Sequence, residues 1–490
     1  MSDILKLRKL NEVFLQVGSD RGILKELSDY FTFEVPGHKF MPSYRNKSWD
    51  GKIRLFSYQD QTIYSGLLPR MVAWAVKRNY NLENLNAFKP SFPNSDDIKS
   101  FLSSLDVCSN NKKIEFRDYQ SNAVLHTLNN KRCILLSPTA SGKSLIIYAL
   151  SRYLKDKKVL IIVPTTSLVE QMYKDFVEYS TYNGWDAKKN CHILYSGKEK
   201  DTDKPILIST WQSLFRMDRS FFKDFDMVIG DEAHLHKASS LKKILENCTN
   251  CEYRIGTTGT LDGSKVHQFV LEGLFGSVYK VTTTKKLIDN KTLSDLKIHC
   301  IVLKYSDEEK ELVSHLEYRD ELNFLILSEK RNQFIVDMVK DLKGNTLLLF
   351  QMVEKHGEAL FEMLKQQTKK DVSFIHGKIS ADDREDIRLA TEKKNNSIIV
   401  ASYGTYSTGI NIRNLHNVVF ASPSKSRIRN LQSIGRALRR TDNKISANLF
   451  DISDDLTLGK KMNYTYRHFL ERLRIYDSEK FTYSIFDFDI

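Results

Sequence analysis

The sequence predicts an α/β protein: two tandem parallel-sheet lobes preceded by a small α+β N-terminal domain. Three observations predict it. From about residue 114, short apolar runs bounded by turn residues alternate with stretches of helical periodicity. That is the rhythm of a parallel sheet with helices on both faces. The rhythm breaks between residue 263 and about residue 297, which reads as connecting material, and then resumes. Residues 1–95 lack it and show short alternating segments and isolated helical stripes instead. The expected boundaries are 1–95, a linker at 96–113, a first lobe at 114–285 and a second at 286–490.

In the N-terminal domain, residues 5–10 and 23–31 read as helices and Trp49-Asp50-Gly51 as a turn. Lys52-Ile53-Arg54-Leu55-Phe56 alternates as a half-buried strand does, and residues 61–64 are expected to pair with it. A helix with Met71, Val72, Ala75 and Val76 on one side follows. Between Gly37 and Tyr80, eight Lys and Arg stand against two acids, interleaved with Tyr44, Trp49, Tyr58 and Tyr64. Basic residues with aromatics suit a nucleic-acid face, and Lys52 and Arg54 share one side of their strand, so they are the candidate contacts. The same alternation also fits a hairpin with a plain solvated face. Residues 94–111, rich in Ser, Asp and Asn, read as a linker with a short helix.

The whole chain carries 74 Lys and Arg against 61 Asp and Glu, a net charge of +13. That balance favours a polyanionic partner. No apolar run approaches the ~18–20 residues that span a bilayer. The N-terminus lacks the uninterrupted apolar core of a signal peptide. A cytoplasmic protein with a nucleic-acid partner is therefore expected, without a membrane. Of six scattered cysteines only Cys248 and Cys251 have metal-like spacing, and no second pair accompanies them. Reduced thiols are the expectation.

In the first lobe the strand candidates are residues 133–136, 159–163, 206–208, 226–230 and 253–256. The first runs into Ser137-Pro138-Thr139-Ala140-Ser141-Gly142-Lys143-Ser144, and helical periodicity follows. Strand, tight loop and helix N-terminus make a phosphate cradle, because backbone N–H groups and the positive helix end face the anion. Thr139, Ala140, Ser141 and Gly142 would line it, Lys143 would reach the β/γ-phosphates, and the Ser144 hydroxyl would sit on Mg²⁺. Ser137 replaces the first Gly of the usual G-x-x-x-x-G-K-[ST] pattern. Gln120, just upstream, can bond an adenine edge bidentately and is the candidate base reader. An isolated Asp-Glu pair is often a helix cap. At the end of a strand in the same sheet as a phosphate loop, Asp231 suits the Mg²⁺ shell and Glu232 the activation of the attacking water.

The second lobe offers strand candidates at 346–350, 372–375, 397–401, 417–421 and 447–450, and no second phosphate loop. From Arg413 to Arg440 there are seven Lys and Arg and no acid. Arg436 and Arg439, three apart, share one helix face. Such a face is usually solvated, but it also suits an arginine finger aimed at a γ-phosphate.

Together these segments resemble the motif series of superfamily 2 helicases and translocases over roughly residues 114–455. Arg117-x-Tyr119-Gln120 is similar to the adenine-reading element, and 137–144 to motif I. Pro164-Thr165-x-x-Leu168-x-x-Gln171 and Ser209-Thr210 resemble the strand-contacting motifs. Asp231-Glu232-Ala233-His234 resembles motif II, Thr258-Gly259-Thr260 stands at motif III, and Gln432-x-x-Gly435-Arg436-x-x-Arg439 resembles motif VI. The resemblance implies two RecA-like lobes with ATP and Mg²⁺ as cofactors, Gly409 and Asn411 among the nucleotide contacts, and Thr166, Ser209, Thr210 and Thr405 on the nucleic-acid strand. Asn411 stands where many relatives carry Asp. The Thr-Gly-Thr type, followed by Gly273-Leu-Phe-Gly276, is similar to DNA translocases of repair, recombination and restriction. With the basic N-terminal domain included, the chain resembles bacteriophage recombination and repair helicases. Such a helicase would act as a monomer on branched and single-stranded DNA, RNA–DNA hybrids included, beside other recombination or replication proteins in the host cytoplasm. The alternatives are an RNA helicase and a non-catalytic nucleic-acid-binding protein on the same fold.

Overall fold

The computed structural model describes residues 4–84, 93–109, 111–197, 199, 202–236, 239–407, 412, 414–422, 426, 431, 433–435, 438, 444 and 446–490. The chain divides into two compact units: residues 1–137 with 142–281, and residues 138–141 with 282–490.

The first unit is organised by a seven-stranded sheet. Its order is Cys191–Leu194, Ile206–Thr210, Val159–Val163, Met227–Asp231, Tyr253–Thr258, Arg132–Leu136, Val278–Lys280, and every pairing is parallel. These runs are almost wholly aliphatic because both faces are covered. The pleat divides each strand between two cores. Ile134, Leu160, Ile162, Leu207 and Val228 enter one. Cys133, Leu135, Ile161, Ile208 and Ile229 enter the other. Helices Asp118–Asn130, Lys143–Tyr153 and Thr166–Tyr179 cover the second face. The stretch expected as a linker joins them, since helix Ser95–Ser104 buries Ile98 and Leu102 in that core.

Residues 263–297 are not connecting material. They contain helix Lys265–Phe275, with Phe269, Leu271, Leu274 and Phe275 buried, strand Val278–Lys280 and helix Thr284–Asp289. The burial of Val266, Phe269 and Val270 follows a helical stripe that the Gly residues on either side obscured.

The N-terminal domain is built on its own five-stranded sheet, in the order Phe56–Ser57, Thr62–Tyr64, Phe14–Gly18, Ile4–Lys9, Asn81–Glu83. Residues 5–10, expected as a helix, contribute instead to strand Ile4–Lys9. Leu5 and Leu7 point into the core while Lys6 and Arg8 are exposed, a period of two that overrides the local helical preference. The expected hairpin is also divided. Lys52–Arg54 pairs with Thr32–Glu34, and only Phe56–Ser57 pairs with Thr62–Tyr64.

This domain shares a core with the first lobe: Leu5, Val17, Phe31 and Trp74 lie in one cluster with Ile134, Phe269 and Phe275. Gly66 rests on the end of helix Lys265–Phe275, where an added Cβ would run into the Glu272 carbonyl oxygen and come within 2.6 Å of that of Gly273. Only glycine permits so close an approach. Arg70 grips Glu272 with two hydrogen bonds, at 2.7 and 2.9 Å, and Arg132 pairs with Glu12 at 2.6 Å.

The second unit repeats the plan. Its sheet runs Asp371–Ile375, Ser397–Ser402, Thr346–Phe350, Asn417–Phe420, Ser446–Asp455, Asp295–Lys304, Tyr483–Asp489, again all parallel. Among the described residues no helix is long and apolar enough to cross a membrane.

Candidate active site

Strand Arg132–Leu136 delivers the chain into the phosphate loop, and helix Lys143–Tyr153 leaves it. The loop is shaped by two left-handed residues, Ala140 at φ 64° and Gly142 at φ 84°. Its base is tied to the sheet by the Ser137 N–H, which donates to the Thr258 carbonyl at 2.8 Å. Ser137, which stands in place of the usual Gly, is fully buried. Ser141 closes the turn by donating to the Pro138 carbonyl at 2.6 Å. Glycine suits position 142 because its φ disfavours a Cβ, and an added Cβ would lie 2.3 Å from the Gln120 amide nitrogen and push that side chain off the loop.

Gln120 is therefore packed on the loop. It is buried, and its Oε1 accepts from the Arg117 N–H at 2.9 Å, satisfying a backbone donor at the start of helix Asp118–Asn130.

Asp231 ends its strand and is buried, with Thr257 on the neighbouring strand donating to its Oδ1 at 2.6 Å. Burial raises the Asp231 pKa above the ordinary carboxylate value, and the adjacent Glu232 adds to the rise. Lys143 and Thr257 act in the opposite direction. Glu232 turns the chain in a left-handed conformation, φ 49° and ψ 52°. For a residue with a long side chain that backbone is strained, and such strain is typical of functional sites. Its carboxylate lies 3.8 Å from Lys143 Nζ and 3.4 Å from His234 Nδ1. A cation, a partly exposed carboxylate and a buried carboxylate thus meet where the phosphate loop enters its helix.

Two contacts were not legible in the sequence. The Ser144 hydroxyl is 2.9 Å from the Tyr179 hydroxyl, and no motif marks Tyr179. His234 Nδ1 lies 3.0 Å from Thr258 Oγ1, and Thr258 donates to the Thr260 carbonyl at 2.9 Å. With the hydroxyl proton so committed, His234 is the donor, and the Asp-Glu strand end is wired to the 258–260 stretch.

The nucleic-acid candidates are placed unevenly. Thr166 is exposed. Ser209 is fully buried and donates to the Leu194 carbonyl at 2.8 Å. Thr210 is also buried, 3.2 Å from the Ser213 hydroxyl, and Thr405 accepts from Ser402 at 2.8 Å. Lys52 and Arg54 are both exposed, but Arg54 is held by Asp50 at 2.5 Å. Gly409, Asn411, Arg436 and Arg439 lie outside the described residues. Cys248 and Cys251 are buried and bond to the carbonyls of Ile244 and Phe225.

Comparison with known proteins gives a consistent result. Three family descriptions match: the N-terminal region of the DNA helicase UvsW over residues 5–84, the res subunit of type III restriction enzymes over 113–263, and the helicase conserved C-terminal domain over 330–441. The chain is 34% identical over 495 residues to the ATP-dependent DNA helicase uvsW of Enterobacteria phage T4, covering 96% of each. It is 23% identical to the DNA 3'-5' translocase XPB2 of Sulfurisphaera tokodaii, over 67% of this chain and 80% of that one. Among solved structures, T4 UvsW aligns over the whole of both chains with 32% identity and a TM-score of 0.52. The type ISP restriction-modification enzyme LlaBIII bound to DNA aligns over 77% of this chain and 31% of that one, at 17% identity and a TM-score of 0.57, a likeness of fold.

Proposed function

The chain belongs to the UvsW family of superfamily 2 ATP-dependent DNA helicases, and we propose that it remodels branched DNA, with Lys143, Ser144, Asp231 and Glu232 as its hydrolytic centre. The remodelling we assign is migration of four-way junctions, regression of forks and unwinding of R-loops. One observation carries the site assignment: Lys143 and Glu232 meet at 3.8 Å where the phosphate loop enters its helix, beside the buried Asp231.

Glu232 takes the proton of the attacking water, for which its strained turn and partly open position suit it. Lys143, on a flexible stem within reach of both, carries its charge to the β/γ-phosphates. Thr257 fixes the Asp231 carboxylate, so one oxygen of that group is oriented before any ligand arrives. Two adjacent carboxylates, one buried with its pKa raised, fit a divalent cation that would favour their ionised forms. Asp231 and Ser144 would hold Mg²⁺, which supplies neutralisation of phosphate charge. Arg436 and Arg439 are assigned to the γ-phosphate, and Gly409 and Asn411 to the nucleotide.

Thr166 is assigned to direct contact with a DNA strand. Ser209 and Thr210 hold their own strand end in the first unit, and Thr405 holds its own in the second, a role that fits their internal hydrogen bonds. Lys52 and Arg54 are assigned to duplex phosphates near a branch. The protein works as a monomer in the cytoplasm of the host cell, with RNA–DNA hybrids among its substrates and recombination or replication proteins as companions.

The test is ATP hydrolysis in the presence of single strands, duplexes, forks, four-way junctions and RNA. Strongest stimulation by branched DNA is expected. Stimulation by RNA alone would replace this reading with that of an RNA helicase.

A further inference from the structure

The first unit contains a cleft of about 720 Å³ that none of the motifs above explains. One wall is the segment leading out of strand Ile206–Thr210, through helix Trp211–Leu214 to the turn Arg219–Asp224. Another is helix Ser239–Asn247, and Phe14 of the N-terminal domain completes the lining. Four cations face it, Arg219, Lys223, Lys242 and Lys243, with Glu246 the one acid among the lining residues.

Pairing decides how much of this charge is available. Lys242 has Glu246 at i+4 and lies 3.7 Å from it, and Glu246 also accepts from the Tyr64 hydroxyl at 2.5 Å. Lys243 has the neutral Ser239 and Asn247 four residues either side, is not ion-paired with Glu246 at i+3, and its ammonium lies 5.8 Å from the centre of the Phe215 ring. Arg219, Lys223 and Lys243 are exposed, and among the described residues none is ion-paired. Three uncompensated cations around one concave surface repel one another and favour a bound polyanion.

The position narrows the polyanion. The first wall begins at Thr210, at the end of the strand assigned to DNA, and the cleft closes on the N-terminal domain. The one aromatic in the lining, Phe14, is half-buried and packed on Tyr64 at 5.0 Å between ring centres, so the interior offers cations rather than open aromatic faces. Cations without stacking platforms read phosphate, not bases.

We propose that this cleft is a second DNA-phosphate site, taking the backbone of a duplex arm next to the strand that the lobe grips. The proposal rests on the DNA-translocase reading above.

The experiment uses the full chain, with binding followed by fluorescence anisotropy across a salt series. The ligands are a forked DNA and a single strand matching its tail. Each lost phosphate contact lowers the salt slope by about one. The R219A/K243A double variant is therefore expected to flatten the fork slope by about two and to weaken fork binding roughly tenfold or more at 0.1 M salt. Binding of the single strand should stay within about twofold. The charge-keeping R219K/K243R variant should restore fork binding, which a merely misfolded double variant would not explain. An unchanged fork slope overturns the proposal. So does equal weakening for fork and single strand, which would make the cleft part of the strand track. An acidic peptide that binds the wild type and not R219A/K243A, while fork binding is unaltered, would assign the cleft to a protein partner instead. Failure of the wild type to bind either DNA would overturn the translocase reading itself, and this site with it.

Discussion

The two lobes are one sheet written twice. Counting strands along the chain within each lobe, both follow the order 3-4-2-5-6-1-7, all parallel. Their chemistry differs at the strand ends. After its first strand, the first lobe opens a loop of small residues into a helix whose first turn carries no acid. After its first strand, Asp295–Lys304, the second lobe places Ser306 and then Asp307, Glu308 and Glu309 at a helix N-terminus. The helix end that invites an anion in one lobe is filled by the chain's own carboxylates in the other.

The buried acids differ in the same way. Asp231 shares its site with a second carboxylate and a lysine 3.8 Å from that carboxylate. In the second lobe Asp454 is fully buried against Arg331, with two hydrogen bonds at 2.7 and 3.0 Å, and accepts a third from Tyr305 at 2.8 Å. Asp451 is likewise buried with Arg472 and Tyr476. One arrangement leaves electrostatic demand for a ligand, and the other satisfies it internally. Fold alone does not locate catalysis.

The largest expected effect tests that division directly. Glu232→Gln should lower DNA-stimulated ATP hydrolysis by ~10²–10⁴-fold while ATP binding persists. Lys143→Ala should lower hydrolysis comparably and weaken nucleotide binding as well. Neither should shift the thermal midpoint appreciably. Steady-state hydrolysis and nucleotide binding measured side by side check this, and near-normal turnover in either variant would remove the site from these residues.

Much of this was legible in the sequence. Runs such as Val159–Val163 and Thr346–Phe350 were found because strands buried on both faces must be uniformly aliphatic. Asp231, Glu232 and Lys143 were singled out because phosphate chemistry restricts residue type and spacing, and the structure brings the three side by side. What escaped was set by the environment. Asp295–Lys304 contains Lys297, His299 and Lys304, and Tyr483–Asp489 lies at the sheet edge with most of its residues exposed, so neither has the composition of a central strand. Tyr179 reaches Ser144 only through the packing of helix Thr166–Tyr179, and no local pattern encodes that. The core that the N-terminal residues share with the first lobe was not legible either. Deleting residues 1–90 would expose Phe269 and Phe275, so point variants are the cleaner probe of that domain.

A second effect should be large in stability and small in chemistry. Asp454→Ala leaves the Arg331 charge buried and unpaired, which typically costs about 3–5 kcal/mol. All four tryptophans, at 49, 74, 185 and 211, belong to the first unit. Urea unfolding followed by tryptophan fluorescence should therefore be little changed, while far-UV circular dichroism should show an early transition. Coincident shifts in both signals would mean that the units unfold together.

Acid should act on both units over overlapping ranges. Burial holds His236 in the first unit down at about 4 and His356 in the second at about 3. Both values lie below the ordinary 6.5, so between that pH and the folded value the unfolded chain binds a proton that the native chain does not. Each group thus removes about 1.4 kcal/mol of stability for every pH unit below 6.5. The loss should level off near pH 4 for the first unit and continue toward 3 for the second. Urea midpoints between pH 7 and 5, taken with the same two probes, should fall in parallel. A flat profile in either would show that its imidazole is protonated in the native state.

The smallest effect concerns the helix end that the second lobe has closed to ligands. The Ser306 hydroxyl accepts from the Glu309 N–H at 3.3 Å, and Glu309 Oε2 accepts in return from the Ser306 N–H at 3.1 Å. Lys330 adds a bond to the same oxygen at 2.7 Å. This reciprocal box does for helix Asp307–Ser314 what a phosphate would do for helix Lys143–Tyr153: it satisfies the first N–H groups and meets the positive end of the dipole. Because that function is structural, Ser306→Ala should cost about 1 kcal/mol in the circular-dichroism transition and leave DNA-stimulated hydrolysis within about twofold. Glu309→Gln should cost less, since an amide oxygen can still accept from the Ser306 N–H while the charge on Lys330 goes unanswered. If either variant instead slowed hydrolysis severalfold at unchanged stability, the second lobe's helix end would belong to the catalytic cycle, and the division between the inviting lobe and the closed one would fail.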